Sequence, residues 1–389
     1  MDRKQRNLNR VAHLKKVKQQ LFNNAAISRA DISRNTGLHK STITSLFDEL
    51  DQEGIIKHLG RGDSTGSGGR KPELYTFNTH YGYVACFNIT YDHLYVMFLY
   101  IDGQEISFKR LAMATRKADV LINLIKHELA QQAASDDTEH GLVGIGVSIH
   151  AVVDNNQIVH SPYYQFNQLD LQQYLIDQYG VPVLIGNEAN LAAIYERDYA
   201  RKKRPRDFIV LSLHRGPGIG VIANRQLFNG FQGMVGELGS VRPLNPVKGI
   251  KDIGDFLSAD FLQENLCTAL KVDSTNADYA TLNKLVQAQP GMVKEIINNF
   301  AAVSANVLYN LQMLYGPAEV FINSPLIEQL TVLGEAVKKQ CKAVGLPVPV
   351  TIIKGSQYVS LLGAGAAVIR HVLDLHDVPL SFRWSKEIG

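Results

Sequence analysis

The sequence predicts an α/β chain: a small basic helical head closed by a β-hairpin, joined to a larger body made of two related α/β halves. Three observations predict it. Apolar residues recur at three- and four-residue steps through the first fifty positions, then give way to short strand-like runs around a Gly/Ser-rich loop. Charge is uneven, with 14 Lys or Arg against 7 Asp or Glu in residues 1–72 and 26 against 30 in residues 73–389. A strand-rich order that begins at Tyr83 returns in similar form after Phe208.

The 389 residues, 45% hydrophobic and 20% charged, are enough for two or three domains and exclude disorder, collagen and a disulfide scaffold. No apolar run approaches the roughly 18 to 20 residues of a membrane span, and the N-terminus is basic and polar, which leads us to expect a cytoplasmic protein with no membrane partner. Cys86, Cys267 and Cys341 are odd in number and lack C-x-x-C spacing, so they are expected to be buried thiols and not zinc ligands or disulfides. The basic head suggests a polyanion-binding module.

In the head, Leu8, Val11, Leu14, Val17, Leu21 and Phe22 form one apolar stripe, which predicts a first helix. Ser28 and Asp31 stand at capping-box spacing and open a short second helix that Thr36-Gly37 ends. Ile43, Leu46, Phe47 and Leu50 predict a third helix whose outer face carries Lys40, Ser41, Thr44, Ser45 and Asp48. Two helices about a glycine turn, the second opening on Lys40, Ser41 and Thr42, make a helix-turn-helix able to enter the major groove of double-stranded DNA. Ile55 to Leu59 and Glu73 to Phe77 read as strands flanking the loop from Gly60 to Pro72, so the hairpin is a wing. Its Arg70 and Lys71 are candidates for a narrow minor groove. A small solvated helical bundle with a plain flexible loop is the bland alternative.

In the body, "VACFNI", "LYVMFLY" and "EISFKR" around an Asp102-Gly103 turn read as strands, followed by a helix near 117–133 and the buried strand "LVGIGVSI". After Phe208 come "FIVLSLH", a glycine loop, "IGVIANRQL", helices and "EVFIN". Two such halves imply a cleft for a small ligand, and periodicity leaves open which doubly wound fold they form.

Four stretches carry a family resemblance: "GIGVSIHAVVDNNQIVHSP" from Gly144, "VPVLIGNEANLAAIYE" from Val181, "GPGIGVIANRQLFNGFQGMVGELGS" from Gly216 and "LLGAGAAVI" from Leu361. In this order they resemble the ROK family of sugar kinases and sugar-responsive repressors, and with the winged head they resemble its xylose-repressor branch. The resemblance implies a two-lobed actin-like fold, with a DNA-binding domain over 1–78 and a sugar-binding and oligomerisation body over 79–389.

The same resemblance implies that phosphoryl transfer is lost. The family's Asp-x-Gly-x-Thr phosphate loop falls on Asn88-Ile89-Thr90-Tyr91-Asp92, without the acid that suits magnesium or the glycine that lets a phosphate approach. The threonine of the second loop falls on Pro217, and the catalytic aspartate falls on Glu188, whose extra methylene moves the carboxylate by about 1.5 Å where about 1 Å can cost a hundredfold in rate. The family's zinc-binding histidine and cysteines are replaced by Ser240 and a cysteine-free stretch, and a second sugar-binding glutamate falls on Leu257. No metal, cofactor or enzymatic activity is therefore expected. His150, Asn187, Glu188 and Glu237 remain as candidate sugar ligands, since carboxylates and amides suit neighbouring hydroxyls. Helix capping is the alternative for Asn187 and Glu188, a similar structural role in a turn for Glu237, and a satisfied turn histidine for His150.

These features together imply a sugar-responsive transcriptional repressor, dimeric or tetrameric, released from operator DNA by a monosaccharide, with a pentose such as xylose favoured. The rivals are a sugar kinase with a DNA-binding appendage and a DNA-binding scaffold whose body no longer takes a ligand.

Overall fold

The computed structural model describes residues 3–62, 71–166, 169–199, 205–243, 252–273 and 277–384, with side chains from Leu8 onward. The head consists of α1 (Arg3–Asn23), β1 (Ile27–Ser28), α2 (Arg29–Thr36), α3 (Lys40–Gln52), β2 (Ile56–Arg61) and β3 (Glu73–Phe77), with a three-stranded sheet in the order β1-β3-β2. Both partners of the predicted capping box are present at the start of α2. The Asp31 N–H donates to Ser28 Oγ at 3.1 Å and the Ser28 N–H to Asp31 Oδ2 at 3.4 Å. Gly37 ends the helix at φ 70°, a left-handed conformation that costs a glycine little.

The apolar stripe of α1 is shorter than its sequence suggested. Val17, Leu21 and Phe22 are fully buried, but Leu8 and Val11 are about half exposed. Twenty-one residues span about 31 Å at 1.5 Å each, and the fully buried positions all lie in the last third of that length, while α3 reaches the first half at its surface through the Arg10–Glu49 pair.

The first lobe of the body runs β4 (Tyr83–Ile89), β5 (His93–Tyr100), β6 (Glu105–Ala112), α4 (Ala118–Ser135), β7 (Leu142–Ile149), the hairpin β8 (Val152–Asp154) and β9 (Gln157–His160), α5 (Leu171–Tyr179), β10 (Val183–Asn187) and α6 (Glu188–Asp198). The second runs β11 (Phe208–Leu213), β12 (Pro217–Ala223), β13 (Gln226–Leu227), α7 (Ala259–Leu270), α8 (Tyr279–Ala288), α9 (Pro290–Tyr315), β14 (Val320–Asn323), α10 (Pro325–Gln329), α11 (Thr331–Ala343), β15 (Val350–Ile352) and α12 (Ser356–Val372). Each lobe holds a five-stranded mixed sheet, in the orders β10-β7-β4-β5-β6 and β13-β12-β11-β14-β15. This is the two-lobed actin-like arrangement.

The lobes are joined through an exchange of helices. Helix α6 leaves the first sheet and packs on β11 and β12 of the second, while α12 leaves the second and packs on β4 and β7 of the first. Small residues allow this closeness. A Cβ on Gly363 of α12 would lie 1.9 Å from the Leu191 carbonyl oxygen of α6, and one on Gly146 of β7 would lie 2.7 Å from the Ala364 carbonyl oxygen. All three cysteines are buried free thiols, and no described helix is long and apolar enough to cross a membrane.

Candidate functional site: a buried carboxylate hub in the interlobe cleft

On the head, burial of Ile43, Leu46, Phe47 and Leu50 turns the opposite face of α3 outward. Lys40, Ser41, Thr44, Ser45 and Asp48 are exposed there, and Thr42 is half-buried beside Asn9, Arg10 and His13 of α1, where an open groove of about 410 Å³ separates the two helices. Thr44 Oγ1 donates back to the Lys40 carbonyl at 3.1 Å, so in this state its hydroxyl is occupied by its own helix. Lys71 is exposed just before β3, and Arg70 lies outside the described residues.

In the body, the carboxyl ends of the parallel strands β4, β7, β10, β11 and β14 converge on the cleft, the position at which open α/β sheets present ligand sites. Glu188 opens α6 there and is 4% exposed. Four donors surround its carboxylate: Ser212 Oγ at 2.7 Å on Oε2, and Ser360 Oγ at 2.7 Å, Asn323 Nδ2 at 3.0 Å and His214 Nε2 at 3.3 Å on Oε1. A carboxylate offers about four lone-pair sites, so the protein itself occupies this hub. Around it, Asn88 Oδ1, Ser148 Oγ and Asn323 Oδ1 are buried with no hydrogen-bond partner among the described residues. Unsatisfied buried polar atoms at strand ends are the feature expected where a polar ligand or water enters.

The charges of the hub follow from its burial and its neighbours. Burial by itself would raise the Glu188 carboxyl, but the His214 charge and hydrogen bond, then His150 and the Ser212 hydroxyl, outweigh it and hold the group at about 2. For His214, burial lowers the imidazole, and the Glu188 carboxylate overcomes this and leaves it raised above 6.5. His150, whose ring lies 5.4 Å from that of His214, is pulled down to about 4, chiefly by burial and against the attraction of Glu188. Two neighbouring imidazoles are thus driven in opposite directions.

Of the four predicted sugar ligands, the structure brings His150 and Glu188 into one cluster through His214. Asn187 adjoins them, but its Oδ1 caps the N–H groups of Ala189 and Asn190, at 2.8 and 3.4 Å, and its Nδ2 donates to the Ala151 carbonyl at 2.8 Å. Its amide therefore both caps α6 and braces the turn after His150. Glu237 makes no side-chain hydrogen bond to this cluster among the described residues; it is half-buried beside His160 of β9, with its carboxyl raised by burial and only partly lowered by that histidine. Leu257 is fully buried in the core of the second lobe.

The turns at the cleft mouth are closed on each other. The turn between β4 and β5 is tight, with the Thr90 N–H donating to the His93 carbonyl at 3.0 Å. Tyr91 projects from it between two guanidinium groups, with Arg116 at 4.0 Å and Arg215 at 3.7 Å from its ring centre. Arg215 belongs to the turn between β11 and β12 and also pairs with Asp260 at 2.7 Å. One stack therefore bridges the first-lobe turn and the second-lobe turn.

Residues 93–368 match the model of the ROK family. The chain belongs to the ROK family. It is 33% identical to a xylose repressor of Lactiplantibacillus pentosus over 375 residues, 96% of either chain. It is 30% identical to a xylose repressor of Staphylococcus xylosus over 380 residues, 95% of this chain and 97% of that one. Among solved structures, a ROK family transcriptional regulator described as a homologue of the Escherichia coli MLC protein superposes with TM-score 0.75 at 17% identity, covering 94% of this chain and 98% of the other. A ROK family glucokinase from Streptomyces griseus, in complex with glucose and AMPPNP, superposes with TM-score 0.63 at 16% identity over 74% of this chain and 99% of its own.

In this ROK chain, Ser212, His214, Asn323, Ser360, Tyr91 and Arg215 are the site residues that sequence reasoning did not single out. The available signal was that His214 directly follows an all-buried strand. Ser212 and Asn323 are register partners on β11 and β14 and occupy single polar positions at the ends of apolar runs. Among the described residues no group of three His, Cys, Asp or Glu side chains is placed to hold a metal ion.

Proposed function

We propose that this chain is a sugar-responsive transcriptional repressor of the xylose-repressor type, which holds double-stranded operator DNA through its head and releases it when a monosaccharide enters the cleft. A pentose such as D-xylose is the favoured effector, in keeping with the names of the relatives that match it end to end. The observation that carries the reading is the Arg116–Tyr91–Arg215 stack. It bridges Asn88–Asp92 and His214–Pro217, the two turns that by family resemblance correspond to the nucleotide phosphate loops of ROK kinases, in a chain whose N-terminal helices present a hydroxyl-rich face. A cleft that retains carboxylates and loses its phosphate seat suits recognition of a sugar without phosphorylation.

In this reading Glu237 and His150 have polar atoms to offer directly, because no side-chain hydrogen bond engages either of them among the described residues. Glu188 and Asn187 act differently, since a sugar hydroxyl reaching them must displace Ser212, Ser360 or the Ala151 carbonyl. Lys40, Ser41, Thr42 and Thr44 meet DNA from α3, and Arg70 and Lys71 from the wing. A two-fold dimer or larger assembly places two such helices about one DNA turn apart, and a change in that spacing releases the operator. Calorimetric titration with a panel of pentoses and hexoses tests the effector. Saturable binding of D-xylose without turnover of MgATP is expected, whereas sugar-dependent release of ADP would support a kinase instead.

A further inference from the structure

Helices α6 and α12 run in parallel and in register from the cleft towards the head, and they are tied at both ends. At the cleft, Glu188 of α6 meets Ser360 of α12 at 2.7 Å. Ten residues further along each helix, Asp198 meets Arg370, with Nε to Oδ2 at 2.8 Å and Nη2 to Oδ1 at 2.7 Å, both side chains buried. Between the ties, Gly363 brings the α12 backbone against Leu191 of α6. About 15 Å of paired helix therefore connects the two rungs.

The far rung holds more than the two helices. Arg370 Nη1 donates to the carbonyls of Leu375 and Val378 at 2.7 and 2.8 Å, which fixes the segment that follows α12. That segment, residues 373–384, is the seat of α1, while β2 of the head is separately tied to the first lobe by Lys57 and Glu139 at 3.6 Å. The Pro379 carbonyl accepts from Gln19 Nε2 at 2.8 Å and Asn23 Nδ2 at 3.0 Å, and the Ser381 N–H donates to Asn23 Oδ1 at 2.8 Å. Lys15 pairs with Asp374 at 2.9 Å, and the Phe382 ring packs 5.0 Å from Phe22 and 5.1 Å from Tyr199. Lys15, Gln19, Phe22 and Asn23 form one face of α1 at helical spacing. The segment then returns along α12 until Trp384 reaches Tyr358, rings 5.6 Å apart, two residues before Ser360.

We infer that residues 373–384 are the coupling strap of the protein, and that Asp198 and Arg370 are positioning residues that convert a change at Glu188 into a change in the seat of α1. The inference rests on the cleft being the effector site. A sugar hydroxyl that takes Glu188 Oε1 competes with Ser360, loosens the near rung and lets α12 shift against α6. Because the helices touch through backbone, the shift reaches Arg370 as a rigid displacement and moves the Leu375 and Val378 carbonyls, and with them the adjoining Pro379 carbonyl on which α1 rests. Both sites then bias one packed element with two arrangements, which is the physical requirement for coupling at a distance.

The full chain is titrated with D-xylose while the emission of Trp384, its sole tryptophan, is recorded together with deuterium uptake in peptides covering 15–23 and 373–384. Saturating xylose is expected to shift the emission and to change uptake in both peptides by about twofold or more. In Asn23→Ala, at the exposed contact with the head, xylose affinity by calorimetry and the emission shift should persist while the uptake change in 15–23 is lost; Asp198→Asn should lose the change in both peptides and keep xylose binding. Bound xylose that leaves both peptides unchanged overturns the inference, as does a wild-type response at 15–23 in Asn23→Ala. Absence of xylose binding counts against the effector reading alone, and the coupling is then read without sugar. Glu188→Gln, which removes the charge that Ser360 serves, must alter Trp384 emission and uptake in 373–384, and values equal to wild type refute the coupling.

Discussion

Asp198 and Arg370 are joined by two hydrogen bonds of 2.7 and 2.8 Å, although 172 residues separate them in sequence and both side chains are almost completely buried. Arg197 also reaches the same carboxylate, at 2.8 Å, so Asp198 is held ionised, with its carboxyl lowered against the raising effect of burial. Removing one member of such a pair leaves an uncompensated buried charge. Asp198→Ala is therefore expected to cost roughly 3–5 kcal/mol in urea unfolding. Lys15→Ala, which breaks a half-exposed pair with Asp374, should cost less than about 1 kcal/mol. Equal losses in the two variants would contradict this ranking.

The two cleft histidines should titrate on opposite sides of the ordinary value. In NMR titrations assigned with His150→Gln and His214→Gln, His150 is expected to take up its proton only near pH 4 and His214 to keep its proton above pH 6.5. The stability consequences have opposite signs. His214, with a raised folded value, stabilises below about 6.5 and loses that contribution as pH rises through its folded value. His150, with a lowered one, makes the fold less stable as pH falls from about 6.5 towards 4, because the unfolded chain binds that proton first. The Glu188 contribution is present above about 4.5 and is lost as pH falls towards 2. A shared midpoint for the two imidazoles would remove the carboxylate hub from the account.

Gly363 tests how tightly the lobes are exchanged. A methyl group there meets backbone at 1.9 Å, so Gly363→Ala must push α12 away from α6 and not merely turn a side chain. A loss of at least about 1–3 kcal/mol is expected from thermal or urea unfolding, with Trp384 emission altered even without sugar. An unchanged unfolding midpoint would show that the helices are less closely packed than described.

On the head, Lys40→Ala and Lys71→Ala should each weaken binding to a duplex selected from a random pool and lower the salt slope by about 1. The Asp48→Ala variant, further along the exposed face of α3, should bind at least as tightly as the parent. A fully conserved salt slope in both lysine variants would move the DNA surface away from α3 and the wing.

Local signals were legible in the sequence wherever a single element decides its own structure. The Ser28/Asp31 box, the Gly37 stop, the buried face of α3 and the strands Glu73–Phe77 and Leu142–Ile149 all stand where periodicity and capping place them. The apolar stripe of α1 extends beyond its buried part because periodicity shows which face is apolar and not how much partner surface covers it. The cleft was legible only in outline. Glu188 was recognisable by its motif, but Ser360 and Asn323, its partners from 172 and 135 residues away, occupy single polar positions in apolar runs and carry no local pattern. The Asp198–Arg370 pair was hidden for the same reason, since an acid and a base on two helices look like solvated surface until packing buries them.

Sugar in the cleft is proposed to govern DNA binding by the head. The most direct measurement follows fluorescence anisotropy of a labelled, pool-selected duplex bound to the full chain as D-xylose is added, for the wild type and for Glu237→Gln. The wild type is expected to release the duplex at saturating xylose. The Glu237→Gln variant, having lost charge-assisted hydrogen bonds worth on the order of 1.5–3 kcal/mol, should bind DNA normally and need roughly ten- to a hundredfold more sugar for release. A duplex that stays bound at all xylose concentrations, although calorimetry shows the sugar in place, would contradict the account.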